Sequence, residues 1–183
     1  MSAGDILTRL RAALESAGVP YMVTGSLASS AHGTPRATQD VDVVIAPTRE
    51  QLLALLQQFP ESEYYRSEED ALLALQHHSQ FNVIDQQSIW KIDFIVRKDR
   101  SFSQEEFTRR RQIDIAGVRL YAATPEDVLL AKLEWAKIGE PDRQISDAAG
   151  IIRVQGARLD ISYVEHWVQV LGLEQQWGRA LRV

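Results

Sequence analysis

Asp40-Val41-Asp42 opens a run that continues Val43-Val44-Ile45. In an extended strand, residues two apart leave the same face, so the two carboxylates project together while Val41 and Val43 point into a core. Like charges held this way repel unless a cation or a proton lies between them. A third acid, Asp93, interrupts the apolar stretch Ile92-Asp93-Phe94-Ile95-Val96, where an unpaired charge is costly. If the two strands are neighbours, three carboxylates converge on one spot. Oxygen ligands in that arrangement suit Mg²⁺ or Mn²⁺ rather than Zn²⁺. Two such ions about 4 Å apart activate an attacking hydroxyl and stabilise a leaving pyrophosphate. Asp85 competes with Asp93 for the third position and ranks below it, because it falls at a strand end before Gln86-Gln87.

Gly25-Ser26 follows the apolar segment Tyr21-Met22-Val23-Thr24 and precedes the small-residue stretch Leu27-Ala28-Ser29-Ser30-Ala31. A strand that ends on Gly-Ser and opens a helix offers backbone N–H groups and a hydroxyl to a triphosphate, and glycine allows close approach. The loop over 33–39 must pass near the carboxylates, which makes Arg36 a candidate phosphate contact and leaves His32 as an ordinary loop histidine. His77-His78 point different ways and make a poor metal pair. Ser29 and Ser30 lack a His–Asp partner set.

The elements that must hold these residues are legible from periodicity. Ile6, Leu7, Leu10, Leu14 and Ala17 have helical spacing up to Gly18. Strands are expected over 20–24, 40–45, 81–84 and 89–96, with a helix between the second and third begun by the capping pair Thr48 and Gln51. Residues 60–70 read as a polar connector before a short helix through Leu75. Ile113-Asp114-Ile115 and Val118-Arg119-Leu120-Tyr121 flank Ala116-Gly117 as a tight hairpin. From the capping Thr124, with Pro125 in the first turn, the pattern is helical over 128–138, 145–154 and 161–171, then a short tail. The fold class expected is α/β (α+β), a mixed sheet flanked by helices, with an α/β core over 1–123 and a C-terminal helical region over 124–183 packed on it. The four tryptophans, Trp90, Trp135, Trp167 and Trp177, are expected to pack elements together.

Composition bounds the rest. A 183-residue chain with 45% hydrophobic and 25% charged residues is expected to build a sizeable core. The absence of cysteine excludes disulfides, thiolate metal sites and cysteine nucleophiles. No apolar run reaches the ~20 residues of a membrane span, and the first residues lack a signal-peptide pattern, so a cytoplasmic protein without a membrane partner is expected. The net charge of −5 is unlike that of a dedicated duplex binder. Positive charge is nonetheless concentrated at Arg97, Lys98, Arg100, Arg109, Arg110 and Arg111, expected as a solvated loop and helix face.

Gly25-Ser26, thirteen intervening residues, Asp40-Val41-Asp42 and the later Asp93 together resemble the signature of the nucleotidyltransferase superfamily related to DNA polymerase beta. The resemblance implies the nucleotidyltransferase-like fold, ligation of metal by Asp40, Asp42 and Asp93, and a further role for Asp93 in deprotonating the attacking hydroxyl. Thr124-Pro-Glu-Asp-Val-Leu-Leu-Ala-Lys132-Leu, followed by Arg143 and Asp147, is similar to the minor nucleotidyltransferases of the AbiEii/AbiGii toxin type. By position, Lys132 would contact phosphates and act in catalysis, and Arg143 and Asp147 would orient it or the second substrate. An i,i+4 surface ion pair is the plainer reading of Arg143 and Asp147.

The activity so implied is transfer of a nucleoside monophosphate from an NTP, ATP among them, to a hydroxyl acceptor. The acceptor is a tRNA or other RNA end, a protein or a small molecule, with a toxin-like enzyme and a cognate antitoxin-type protein as the family's suggestion. The alternative is a catalytically silent nucleotide- or partner-binding protein of the same fold, an antitoxin or regulator.

Overall fold

Alternating valine and isoleucine runs and helical leucine stripes assemble into one mixed sheet with helices on both faces. A computed structural model describes residues 2–139 and 141–183. In chain order the elements are α1 (Ala3–Ser16), β1 (Tyr21–Thr24), α2 (Gly25–His32), β2 (Asp40–Ile45), α3 (Arg49–Gln57), β3 (Tyr64–Tyr65), α4 (Glu68–His77), β4 (Gln80–Asp85) and β5 (Lys91–Val96). They continue with α5 (Ser101–Arg109), β6 (Arg111–Ile115), β7 (Val118–Ala122), α6 (Pro125–Ile138), α7 (Pro141–Gln155), a 3₁₀ turn over Gly156–Arg158, α8 (Ile161–Leu171) and α9 (Glu174–Ala180). The described residues form a seven-stranded sheet in the order β3-β4-β5-β2-β1-β7-β6.

Strand register sets which acids meet. β1 and β2 are antiparallel, with Thr24 opposite Asp42. β2 and β5 are parallel, with Asp42 opposite Asp93 and Asp40 opposite Lys91. β4 returns antiparallel beside β5 and sets Asn82 opposite Asp93.

Side chains alternate between two apolar layers. Val41, Val43 and Ile45 of β2 join Ile92, Phe94 and Val96 of β5 under the leucines of α1 and α3. Met22 and Val44, on the other face, lie under Ala28, Phe102, Phe107 and the buried stripe Val128, Leu129, Leu130 and Leu133 of α6. Asp40 and Asp42 share the face of Val44, four and two residues before it, so the carboxylates occupy the end of the face that the C-terminal helices cover.

Local signals act as the sequence suggests. The capping box at Thr48 and Gln51 is formed, Thr124 accepts the Asp127 N–H at the start of α6, and Ala116-Gly117 turns the β6–β7 hairpin. Three features differ from expectation. Tyr64–Tyr65 in the polar connector is a short edge strand paired with Asp85 and Ile84, and two residues carry too little alternation to be read as a strand. The tail after 171 contains α9, which is stabilised by packing, since Leu173 and Ala180 are buried. Trp135 is 51% exposed because it falls off the buried stripe of α6, whereas Trp90 and Trp167 are buried as expected. No helix among the described residues is long and apolar enough to cross a membrane.

Candidate active site

The site is built where β1 ends. Gly25 takes φ +63°, and a Cβ placed on it would stand 1.9 Å from Asp42 Oδ2. Only glycine fits there, for its backbone freedom and for its missing side chain. The turn so made brings the Ser26 backbone N–H to the Asp42 carboxylate, to which it donates. Asp42 and Asp93 are abreast on neighbouring strands. Burial, and then the charge of Asp93, push the Asp42 carboxyl above its usual range, while the Ser26 N–H and Lys132 pull the other way.

Asp85 is elsewhere. It shares the opposite face with Phe81 and Val83, and its Oδ1 accepts the N–H groups of Gln87 and Ser88 at 3.0 and 2.7 Å. It holds the β4–β5 turn.

A second layer of charge comes from the helices. Lys132 is 4% exposed and its Nζ lies 2.8 Å from Asp147 Oδ2. Arg36 Nε lies 3.3 Å from the same oxygen, and its Nη2 donates to Ser26 Oγ. Asp147 therefore draws the loop cation and the helix cation to one point beside the Gly25-Ser26 turn. The close approach is made by glycines: a Cβ on Gly33 would stand 2.9 Å from Ile151 N, and one on Gly150 would stand 3.0 Å from Thr34 Oγ1. Asp147 thus faces Lys132 and Arg36, and Arg143 is exposed to solvent one turn earlier on α7. His32 is buried and donates from Nε2 to Ala123 O at 2.8 Å. Burial holds its pKa below the usual value, so it serves packing between α2 and the β7–α6 connection.

No protein-family model and no curated relative matches the chain. Solved structures do. ANT(2'')-Ia in complex with adenylyl-2''-tobramycin superposes with a TM-score of 0.61 at 13% identity, over 94% of this chain and 97% of that one. The lincomycin-bound lincosamide antibiotic adenylyltransferase LnuA gives a TM-score of 0.55 at 12% identity, over 82% and 98%. An antigenic nucleotidyltransferase-like protein from Paracoccidioides brasiliensis gives 0.55 at 18%, over 84% and 78%. The fold is that of the nucleotidyltransferases.

Within the nucleotidyltransferase fold, Asp40, Asp42 and Asp93 are hard oxygen donors on one face at the sheet's end. Burial and the charge of Asp93 both disfavour the ionised form of Asp42, and Lys91 brings an ammonium group to Asp93 at 2.8 Å and to Asp40 at 3.6 Å. Carboxylate oxygens are donors of the kind that suits a divalent ion such as Mg²⁺. Among the described residues no three acids, histidines or cysteines stand close enough together to hold a metal ion.

Sequence alone does not single out Lys91. The signal was available, since it precedes Asp93 by two and shares its face, but only the β2–β5 register places it opposite Asp40. The basic stretch is solvated in part, with Lys98, Arg100 and Arg111 exposed, and also forms long-range pairs. Arg100 makes two 2.6 Å bonds to Glu134, and Arg109 pairs with Asp127 and Glu126 while lying 3.8 Å over the Tyr163 ring. These arginines fasten α5 to α6 and α8, and their contacts are long-range ones that no local pattern reveals.

Proposed function

We propose that the protein is a metal-dependent nucleotidyltransferase that moves a nucleoside monophosphate from an NTP to a hydroxyl group of a small molecule. The observation that carries this reading is the pair Asp42 and Asp93 abreast beside the Gly25-Ser26 turn, in a sheet of this fold. Asp40, Asp42 and Asp93 would hold Mg²⁺ or Mn²⁺. Bound there, the ion supplies Lewis-acid charge to the triphosphate oxygens. The Ser26 region and the cations Lys132 and Arg36 bind and orient the phosphates. Asp93 accepts the proton of the acceptor hydroxyl; the oxygen then bonds to the α-phosphorus as the bond to pyrophosphate breaks. Asp147 keeps Lys132 and Arg36 in place. Arg143, exposed on α7, is assigned to the acceptor side.

A small acceptor is favoured over tRNA or another RNA because the chain is acidic and Arg100 and Arg109 are spent on internal ion pairs. A polyanion needs free cations along its backbone. The toxin-like reading with a cognate antitoxin rests on the resemblance at Lys132, Arg143 and Asp147, and the acidic charge of the chain does not favour it.

Thermal unfolding with ATP, GTP, CTP and UTP, with and without Mg²⁺, tests the nucleotide half. Ligand at ~100 times its dissociation constant adds about 2.7 kcal/mol, a shift of several degrees at roughly 2–4 °C per kcal/mol. Asp42→Asn is expected to lose the Mg²⁺-dependent shift yet melt at or above the wild-type temperature without ligand, since one repelling charge is gone. No shift with any triphosphate would favour the silent, partner-binding alternative.

A further inference from the structure

The cation nearest the carboxylates belongs to neither the phosphate turn nor the helices. Lys91 begins β5, opposite Asp40 in the parallel register and two residues before Asp93 on the same face. Its Nζ lies 2.8 Å from Asp93 Oδ2 and 3.6 Å from Asp40 Oδ1. The other cations of the site have different direct partners: Lys132 is paired with Asp147, and Arg36 is shared between Asp147 and Ser26. Two acids in a row across parallel strands need a counter-charge in the metal-free protein, and Lys91 is the residue placed to give it. The Lys91 side chain is 37% exposed, whereas that of Asp93 is 15% exposed. Its ammonium therefore rests on a long flexible stem with an open way to solvent, and it can leave while the carboxylates stay.

We infer that Lys91 is a tethered counter-ion of the carboxylate face: it occupies Asp40 and Asp93 in the metal-free protein and competes with a divalent cation for the same oxygens. Lys91 is then a positioning residue that sets how tightly the site takes metal. This inference rests on the carboxylate site proposed above.

The test is Mn²⁺ binding by the full chain, read as free Mn²⁺ in electron paramagnetic resonance spectra. Wild type, Lys91→Met, Lys91→Gln and Lys91→Arg are compared, with Asp42→Asn as the site control. Removing the competing charge is expected to tighten Mn²⁺ binding on the order of tenfold in Lys91→Met and Lys91→Gln, with Lys91→Arg close to wild type. The neutral variants should also melt below wild type without metal and gain more on its addition. Either neutral variant suffices if the other does not fold. Wild-type Mn²⁺ binding that is lost in Asp42→Asn but unchanged or weakened in the neutral Lys91 variants overturns the role of Lys91 and leaves the carboxylate site standing. Wild type and Asp42→Asn that alike fail to bind Mn²⁺ overturn both.

Discussion

Gly25 and Asp42 depend on one another at the scale of single atoms. Gly25 leaves the space that the Asp42 carboxylate fills, and its positive φ aims the Ser26 N–H at that carboxylate. Gly25→Ala adds a methyl group into the carboxylate and an L-residue in a left-handed conformation. The expected cost is ~2–4 kcal/mol by urea unfolding, with the Mg²⁺-dependent nucleotide shift lost. A variant as stable as wild type would show that the turn has room to relax and that Asp42 is not held by it. The raised carboxyl of Asp42 has a definite sign in pH. The folded state keeps its proton to higher pH than the unfolded chain does, so this group's contribution falls as pH rises from the ordinary aspartate range through the raised value. Asp42→Asn should remove that part of the slope in metal-free protein.

At the scale of elements, a buried acid network fastens α5, α6 and α8. Asp127, with no exposed surface, accepts Tyr163 Oη–H at 2.6 Å and Thr124 Oγ–H at 2.7 Å beside Arg109. Glu126 accepts the Asp160 N–H at 3.1 Å, which ties the start of α8 to the start of α6. Tyr163→Phe removes one charge-assisted bond and leaves part of Asp127 unsatisfied. The expected cost is ~1–3 kcal/mol in chemical denaturation. Glu106 on α5 is pushed up to about 8 by burial and then by the charge of Asp127, against Ser103 and Arg100. Folded protein therefore holds this proton where the unfolded chain has lost it, and stability drains as pH rises from the usual glutamate range to about 8. Glu106→Gln should raise the melting temperature at pH 8 and leave it unchanged near pH 4. Equal effects at both values would assign Glu106 a packing role instead.

At the scale of the whole molecule, charge bears on the proposed small acceptor. The chain carries −5, and within its basic stretch Arg100 pairs with Glu134, Arg109 pairs with Glu126 and Asp127, and Arg110 lies over the Phe107 ring. Fluorescence anisotropy with labelled tRNA is expected to show no binding at about 0.15 M salt. Tight binding that weakens steeply with added salt would restore the RNA acceptor and the toxin-like reading.

Much of the fold was legible because it rests on local physics. The period-2 valines of β2, the leucine stripe of α1 and the caps at Thr48 and Thr124 each act within a few residues. The acids and Gly25-Ser26 stood out for the same reason: a charge in an apolar strand and a glycine after one are unusual wherever they occur. What sequence by itself determined was therefore the class of fold, the site's candidate carboxylates and the absence of thiolate ligands. Tertiary structure decided the pairings. Lys91 faces Asp40 only because β5 joins β2 in parallel register. Asp147 takes Lys132 and Arg36 only because Gly33 and Gly150 let α2 and α7 approach. Arg100 and Arg109 find their partners only because α6 and α8 offer acids and a ring. Such partners are set by where distant segments meet, and neither spacing nor periodicity encodes that meeting.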